Sequence, residues 1–213
     1  MDERGEARGL PIVEVFADVR CPFTHVGLRR LVQRRAELAR DVPRLWVRAW
    51  PLELVNAAPL DSTLIAREVA ALQAQVTPEL FRGFTESAFG SSSLPALALA
   101  NAAYRVSVAV GESVSLDLRD AVFEDGRDIS SPAVLAEIGD RHDVPATTDV
   151  DHADVLRDWR EGQQRGVIGS PEFFVAGRSY FCPSLEIHHH DDEFDVRFDE
   201  PALVDFLDTV FAD

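Results

Sequence analysis

Lysine is absent from this chain of 213 residues, and all 21 of its basic residues are arginine. The absence excludes chemistry that needs an ε-amino group, such as Schiff-base formation or phosphate binding by lysine. Cysteine is scarce as well: Cys21 and Cys182 are the two cysteines, and two such distant residues do not make a disulfide framework. We therefore expect a cytoplasmic protein, since stable disulfides are rare in that compartment.

The chain also lacks long apolar runs and an excess of positive charge. No run approaches the roughly 18 residues that a membrane-spanning helix needs, and residues 1–9 are charged, so we expect neither a membrane anchor nor a signal peptide. The net charge of −16 makes nucleic acid and anionic membranes poor partners. The 46% of hydrophobic residues suffice for a sizeable core in one domain with an insertion or in two small domains.

One cysteine occupies a position that favours reactivity. The apolar run Pro11–Phe16 predicts a buried strand, and apolar residues with helical spacing follow Thr24. Cys21 thus stands where a strand passes into a helix N-terminus, and Pro22 suits an early helical position because no N–H is needed there. Unpaired N–H groups and the helix dipole favour a thiolate, so we expect a lowered pKa and a nucleophilic Cys21. The alternative is that Cys21 is a small buried apolar residue.

A second motif lies far downstream, where the loop Gly169–Pro171 leads directly into an apolar strand. Together with the C-P-x-T motif at Cys21 and the long helical stretch between them, this loop resembles the DsbA-like branch of the thioredoxin superfamily, in particular its FrnE-like and 2-hydroxychromene-2-carboxylate isomerase-like members. The resemblance covers about residues 13–207. It implies an α/β, thioredoxin-like fold with a large all-helical insertion. It also implies a cis peptide bond before Pro171 and contact between this proline and Cys21.

We assign residues 11–56 and 166–213 to a thioredoxin-like domain and residues 57–165 to a helical insertion domain. A second strand is predicted at Arg44–Pro51, parallel to the first in a right-handed βαβ unit. A two-residue turn at Ala176–Gly177 predicts a hairpin of residues 173–175 and 178–182, in which Pro171 faces Cys182. Gly111 is expected to stop one helix. The predicted helices cover residues 24–40, 61–76, 79–89, 94–110, 112–125, 133–141, 151–166 and 199–211.

Two residues after the cysteine modify the expected chemistry. Thr24 stands where a dithiol oxidoreductase has its second cysteine, so no disulfide can form within the motif. The Thr24 hydroxyl either bonds a thiolate at Cys21 or contributes to helix capping. His25, one turn beyond Cys21, is interpreted as a surface-facing helical histidine, with thiolate stabilisation or proton transfer as the alternative. The predicted catalytic residues are Cys21, Thr24 and Pro171, and the predicted substrate-binding residues are Pro22, Phe23, His25 and Ser170.

The remaining polar motifs are interpreted as structural or left open. Arg20 adds positive potential near the thiol and Asp18 opposes it. Cys182 is interpreted as a half-buried strand cysteine, with a role as a distant resolving thiol as the alternative. Residues 188–193 combine three histidines with three acidic residues. Adjacent histidines seldom converge on one ion, so we expect a solvated acidic loop and no metal site.

Three functions are compatible with these features. The first is a thiol-disulfide oxidoreductase that uses Cys21 as a monothiol nucleophile. The second, implied by the resemblance, is a glutathione-type transferase or isomerase of the kappa-class or 2-hydroxychromene-2-carboxylate isomerase kind. The third is a non-catalytic binding module. We expect no tightly bound cofactor, with a low-molecular-weight thiol as candidate cosubstrate. The partners would be a small thiol or disulfide or a protein thiol, and a homodimer stays open.

Overall fold

The structure is a computed structural model that describes residues 11–190 and 193–212. Within these residues strands and helices follow in the α/β arrangement that the sequence predicts. In chain order the elements are β1 (Ile12–Ala17), α1 (Pro22–Glu37), β2 (Arg44–Ala49), α2 (Leu52–Val55), α3 (Ser62–Gln75), α4 (Leu94–Val106), α5 (Val108–Phe123), α6 (Pro132–Arg141), α7 (Asp149–Arg165), β3 (Glu172–Val175), β4 (Arg178–Phe181), β5 (Leu185–His190), β6 (Glu193–Phe198) and α8 (Glu200–Val210).

Four strands form the main sheet in the order β2-β1-β3-β4. The pair β1 and β2 is parallel, as predicted, with Val15 opposite Val47. Strand β3 runs antiparallel to both β1 and β4. The β3–β4 hairpin is confirmed as well: Val175 pairs with Arg178 across a turn whose residues Ala176 and Gly177 both have positive φ.

Both faces of β1 are buried against other parts of the chain. On one face Val13 and Val15 share an apolar cluster with Leu28 of α1 and Phe206 of α8. On the other face Phe16 packs edge-on against Trp50, with ring centroids 6.4 Å apart. Because β1 is buried on both sides, it is apolar almost throughout, which is typical of a central strand.

Helices α3 to α7 lie between β2 and β3 in the sequence, as expected for the insertion. Helix α4 is buried from Ala96 to Ala103 and packs against α5 and α7. The largest apolar cluster joins α3 and α4 to Cys21 and Val26, so insertion and sheet share a core. The division into two domains stays a prediction. In the described part of the chain every helix is too short or too polar to span a bilayer.

The predicted helix at residues 79–89 is wrong. Only a short 3₁₀ turn at Glu86–Ala88 forms there, and Phe81 has a φ of 63°. A helix at this point would need right-handed backbone angles and an N–H group bonded within the helix. Instead, the Phe81 N–H donates to the Glu124 carboxylate at 2.8 Å. The cap-and-proline signal at residues 77–78 is overridden by this tertiary contact.

The predicted helix end at Gly111 is also wrong. Helix α4 ends at Val106. The next residue, Ser107, has an extended backbone, and its hydroxyl caps the start of α5 by accepting from the Val110 N–H at 3.1 Å. Gly111 lies inside α5 because the Tyr104 ring occupies the space of its missing side chain. The Tyr104 hydroxyl in turn accepts from the Val47 N–H at 2.9 Å and so ties α4 to β2. The other predicted helices are confirmed to within a few residues at each end.

The expected acidic loop at residues 188–193 is wrong where the structure describes it. These residues belong to β5 and β6, which pair as a separate two-stranded sheet with Ile187 opposite Val196. Residues 191 and 192 lie outside the described residues. The run of histidines and acidic residues in the sequence obscured the apolar alternation on either side of it. This β5–β6 hairpin packs against α3, and Gln75 bonds both the Phe194 carbonyl and the Val196 N–H.

Substitution of Gly111 tests the close contact between α4 and α5. We expect Gly111→Ala to destabilise the fold by about 1–3 kcal/mol, because the new methyl group overlaps the Tyr104 ring and overpacks a filled site. The helical Gly139 is the matched control, since its added methyl would lie 3.4 Å from Leu99. Gly139→Ala should leave stability unchanged or raise it by up to about 1 kcal/mol. Urea unfolding of both variants measures the difference, and equal effects would contradict the proposed overlap.

Candidate active site

Cys21 stands at the boundary between β1 and α1. A turn of three residues follows β1, and Cys21 is the N-terminal cap residue of α1, with extended backbone angles. Pro22 is the first helical residue, as predicted.

The sulfur of Cys21 faces the Ser170–Pro171 loop. Its S–H group donates to the Ser170 carbonyl at 3.1 Å. The Thr24 hydroxyl and backbone N–H also interact with the sulfur, and the Thr24 hydroxyl lies 2.9 Å from the Ser170 hydroxyl. The Ser170 hydroxyl accepts from the Asp18 N–H at 3.0 Å. The structure thus brings Cys21, Thr24 and Ser170 together, and Pro171 follows Ser170 through a cis peptide bond. Contact between Pro171 and Cys21 stays a prediction.

Burial decides the charge state of Cys21. The residue is only 3% exposed, and burial raises the pKa of its thiol above the usual value. The hydrogen bonds from Thr24 and Ser170 lower this pKa, but by less than burial raises it. The expectation of a lowered pKa at Cys21 is therefore wrong for this structure. The helix N-terminus was identified correctly, whereas the apolar cover above it was not visible in the sequence.

Three other predicted site residues, Pro22, Phe23 and Ser170, are also buried. Phe23 belongs to the same apolar cluster as Cys21, together with Val69 of α3 and Val196 of β6. The substrate-binding role of these three residues stays a prediction, and because they are buried it requires surrounding parts of the chain to move. Sequence reasoning missed this cover because residues 188–193 were interpreted as a loop.

His25 points away from the sulfur, and its interpretation as a surface-facing histidine is wrong. The ring is 1% exposed and packs against Phe81 and Phe123, with centroids 5.3 and 5.1 Å away. Its Nε2 lies 2.7 Å from a Glu124 oxygen. Burial lowers the pKa of His25, although the Glu124 carboxylate opposes that shift. His25 therefore joins α1 to the end of α5 and offers a substrate no surface.

A buried polar network lies beneath the site. The Asp18 carboxylate accepts from the Arg20 N–H, the Leu52 N–H and the Ser93 hydroxyl at 2.7–2.9 Å. The Arg20 guanidinium pairs with Glu53 at 3.0 Å. Both side chains are engaged in this network, and the expected effect of their charges on the thiol stays a prediction.

Two charged residues that the sequence analysis did not single out act on Cys21. Arg119 of α5 is fully buried, donates to the Asp18 carbonyl at 3.2 Å, and has a pKa lowered by burial to about 10. Its guanidinium interacts electrostatically with Cys21. Glu68 of α3 is 8% exposed, and its charge raises the pKa of the Cys21 thiol. A charged residue on an otherwise apolar helical face was the signal that could have identified both.

The predicted register of Cys182 is confirmed. This residue follows β4 directly, and its N–H donates to the Pro171 carbonyl at 3.0 Å. It is 5% exposed rather than half-buried, and burial raises the pKa of its thiol to about 12. Both cysteines are free and belong to one apolar cluster. A resolving role for Cys182 stays a prediction.

Solved structures with the same fold include enzymes of two kinds. The cytosolic disulfide reductase DsbM from Pseudomonas aeruginosa is 18% identical, with a TM-score of 0.53 over 87% of this chain and 88% of that chain. The same reductase with GSH has a TM-score of 0.56 at 18% identity, over 79% and 88%. A 2-hydroxychromene-2-carboxylate isomerase is 12% identical, with a TM-score of 0.61 over 80% and 88%. No curated protein matches the sequence.

The sequence itself identifies the family. Residues 12–194 match the profile of the DSBA-like thioredoxin domain, from the first residue of β1 into β6. That range contains the Cys21 motif, the helices between β2 and β3, and the Ser170–Pro171 loop. The chain therefore belongs to the family of DSBA-like thioredoxin domains.

Proposed function

We propose that this protein is a thiol-disulfide oxidoreductase in which Cys21 acts as a monothiol nucleophile. The main support for this proposal is the position of the Cys21 sulfur. The sulfur interacts with the N–H and hydroxyl groups of Thr24 at the start of α1, and its S–H group donates to the Ser170 carbonyl beside the cis proline. Donors at a helix N-terminus stabilise a thiolate at the moment when it forms. Similarity of fold to a cytosolic disulfide reductase supports the same reaction class.

The reaction is an exchange between one thiol and one disulfide. The Cys21 sulfur loses its proton, attacks one sulfur of a substrate disulfide and forms a mixed disulfide, while the other substrate sulfur leaves as a thiolate and takes up a proton. Because Thr24 replaces the second cysteine of a dithiol motif, an external thiol must then release the substrate from Cys21. A low-molecular-weight thiol in the cytoplasm would serve, and DsbM with GSH is similar in fold.

Exchange requires access to a buried sulfur. The Cys21 thiol is protonated in the resting protein because burial raises its pKa. The residue is buried in an apolar cluster that also contains residues of α3 and of the β5–β6 hairpin, so we infer that the elements of this cluster must move apart before a substrate reaches the sulfur. When these elements move apart, water reaches the Cys21 sulfur. The desolvation that raises the pKa of the thiol then decreases, so the thiolate forms more easily.

A second function is favoured by the hydroxyl pair. The Thr24 and Ser170 hydroxyls lie 2.9 Å apart beside the cis proline. In a glutathione-type transferase or isomerase they would hydrogen-bond the sulfur of a bound thiol, and Cys21 would stay protonated. Similarity of fold to a 2-hydroxychromene-2-carboxylate isomerase supports this alternative.

Cysteine substitutions separate the two functions. We expect Cys21→Ser to abolish reduction of a mixed disulfide between glutathione and a cysteinyl peptide, because no other thiol in the chain stands at a helix N-terminus. Cys182→Ser is the matched control and should retain the activity. Stopped-flow measurement of released glutathione provides the rates. Undiminished reduction by Cys21→Ser would exclude the proposed nucleophile and favour the hydroxyl-based alternative.

The Thr24 hydroxyl should affect the exchange rate in a graded way. Thr24→Val removes the hydroxyl and keeps the shape, so the thiolate loses one hydrogen bond worth about 1.5–3 kcal/mol, or roughly a 10–100-fold lower rate. Thr24→Ser keeps the hydroxyl and should stay close to the unsubstituted protein. Thermal unfolding of both variants checks that the fold survives. Equal rates in Thr24→Val and the unsubstituted protein would show that Thr24 has a capping role only.

The raised pKa of Cys21 has a direct test in iodoacetamide labelling. In a Cys182→Ser background the labelling rate of folded protein should be low at neutral pH and rise with a midpoint above the value of about 8.5 for free cysteine, because burial disfavours the thiolate. The same protein in urea should show the free-cysteine midpoint. A midpoint below that value in the folded protein would contradict the effect of burial.

A further inference from the structure

Arg119 of α5 is a charged side chain that the structure removes from solvent entirely. It is 0% exposed, and its guanidinium donates to uncharged acceptors. Nitrogen Nη1 donates to the Ser115 carbonyl at 2.8 Å and to the Ser115 hydroxyl at 2.7 Å, and Nη2 donates to the Asp18 carbonyl at 3.2 Å. The Nε–H group has no hydrogen-bond partner in the described part of the chain.

This arrangement sets Arg119 apart from the other buried arginines. Those three are paired with carboxylates: Arg20 with Glu53, Arg35 with Glu112 and Arg48 with Asp158. Among the residues that the structure describes, Arg119 forms no ion pair. A buried cation without a paired anion is costly, and burial accordingly lowers the pKa of Arg119 to about 10. At neutral pH this charge therefore reduces the stability of the fold, which points to a role other than support of the fold.

The Asp18 carbonyl connects Arg119 to the candidate active site. The Cys21 N–H donates to the same oxygen at 3.4 Å and closes the turn between β1 and α1. A carbonyl oxygen has two lone pairs, so these two donors occupy both. The guanidinium nitrogen and the Cys21 nitrogen are thus no farther apart than the sum of the two distances. The N–H of Asp18 donates to the Ser170 hydroxyl, so the residue that Arg119 holds also binds the loop that faces the sulfur.

The titratable groups around Arg119 leave room for one more negative charge. They are Tyr104 of α4, Asp18 in the turn, Cys21 at the start of α1 and Asp120 of α5. Burial raises the pKa of Tyr104, so its hydroxyl stays neutral, and Asp120 forms an ion pair with Arg29. The Asp18 carboxylate accepts three hydrogen bonds from other groups. Cys21 is neutral at rest and becomes an anion only during exchange.

Two further titratable groups interact with Cys21 from other elements. The charge of Glu68 in α3 raises the pKa of the Cys21 thiol. Cys182, which follows β4, is neutral at ordinary pH because burial raises the pKa of its thiol to about 12. Neither group favours a thiolate at Cys21, whereas a cation does.

We propose that Arg119 is a positioning residue for Cys21, an assignment that rests on the proposed function. Through the Asp18 carbonyl it fixes the turn that sets the Cys21 N–H and sulfur at the start of α1. Its positive charge stabilises the Cys21 thiolate while the sulfur attacks a substrate disulfide. The two bonds to Ser115 hold the guanidinium, so the charge is in place before a substrate arrives.

The variant Arg119→Met distinguishes this role from a structural one. It removes the charge and the donors, and no carboxylate loses an ion-pair partner, so resistance to urea should be unchanged or higher. Single-turnover reduction of the glutathione mixed disulfide should be about 10–100-fold slower. In a Cys182→Ser background the midpoint of iodoacetamide labelling at Cys21 should rise by about one pH unit or more. A purely structural arginine predicts the reverse, namely lower resistance to urea and an unchanged labelling midpoint.

Three further variants serve as controls. Arg119→Lys keeps a positive charge and should restore part of the exchange rate and of the labelling midpoint. Arg119→Gln keeps an N–H donor without the charge and should restore less. Arg35→Met removes a buried arginine that pairs with Glu112 in the last turn of α1. It should lower resistance to urea and leave the exchange rate and the labelling midpoint of Cys21 unchanged.

Each outcome decides for or against the role of Arg119. An unchanged rate and labelling midpoint in folded Arg119→Met overturn the proposal, and so do equal shifts in Arg35→Met. If Arg119→Met does not fold, equal rates and midpoints in Arg119→Lys and Arg119→Gln overturn it. Absence of Cys21-dependent exchange in the unsubstituted protein would instead refute the proposed function, and the labelling midpoint would still test the effect of Arg119 on the thiol.

Discussion

The contact between the Ser170–Pro171 loop and the start of α1 is the constraint on which the site depends. Three hydrogen bonds join segments that are 146 to 152 positions apart: the Asp18 N–H to the Ser170 hydroxyl, the Cys21 thiol to the Ser170 carbonyl, and the bond between the Thr24 and Ser170 hydroxyls. Each satisfies a polar group that is buried, so loss of one leaves an unpaired group in an apolar setting. The loop thereby fixes both the position of the sulfur and the direction in which it points.

Two opposing effects act on that sulfur, and burial is the larger one. The helix N-terminus supplies a backbone N–H and a hydroxyl from Thr24, which favour a thiolate. Nearly complete removal from water disfavours it more strongly, so the thiol stays protonated at rest. The charge of Glu68 adds a smaller contribution that also raises the pKa of the Cys21 thiol.

Local signals in the sequence located the backbone of the site well. The apolar run before Cys21, the proline after it and the turn at Ala176–Gly177 each have a local cause, and the βαβ unit and the hairpin register followed from them. The failures involve contacts between distant segments. The helix expected at residues 79–89 is displaced by a bond from Phe81 to Glu124, and Gly111 continues a helix because Tyr104 packs on it.

The burial of the side chains around Cys21 could not be predicted from the neighbouring sequence either. The burial of His25 depends on Phe81 and Phe123, which come from two other parts of the chain. Cys21 shares an apolar cluster with residues of α3, β5 and β6, and charged residues in the sequence between these two strands interrupt their apolar alternation. Spacing in a sequence reports which face of a helix or strand a residue shares, but it does not report what packs on that face.

The attachment of the β5–β6 hairpin to α3 determines how the thiol can become exposed. One side chain, Gln75, bonds both the carbonyl of Phe194 and the N–H of Val196, and so occupies positions that a third strand would fill. A two-stranded sheet alone is at best marginally stable in water, and so is an isolated helix of 14 residues. Because Gln75 joins the two elements, we expect them to open together as one unit of local unfolding. Such an opening would bring solvent to the apolar cluster that contains Cys21.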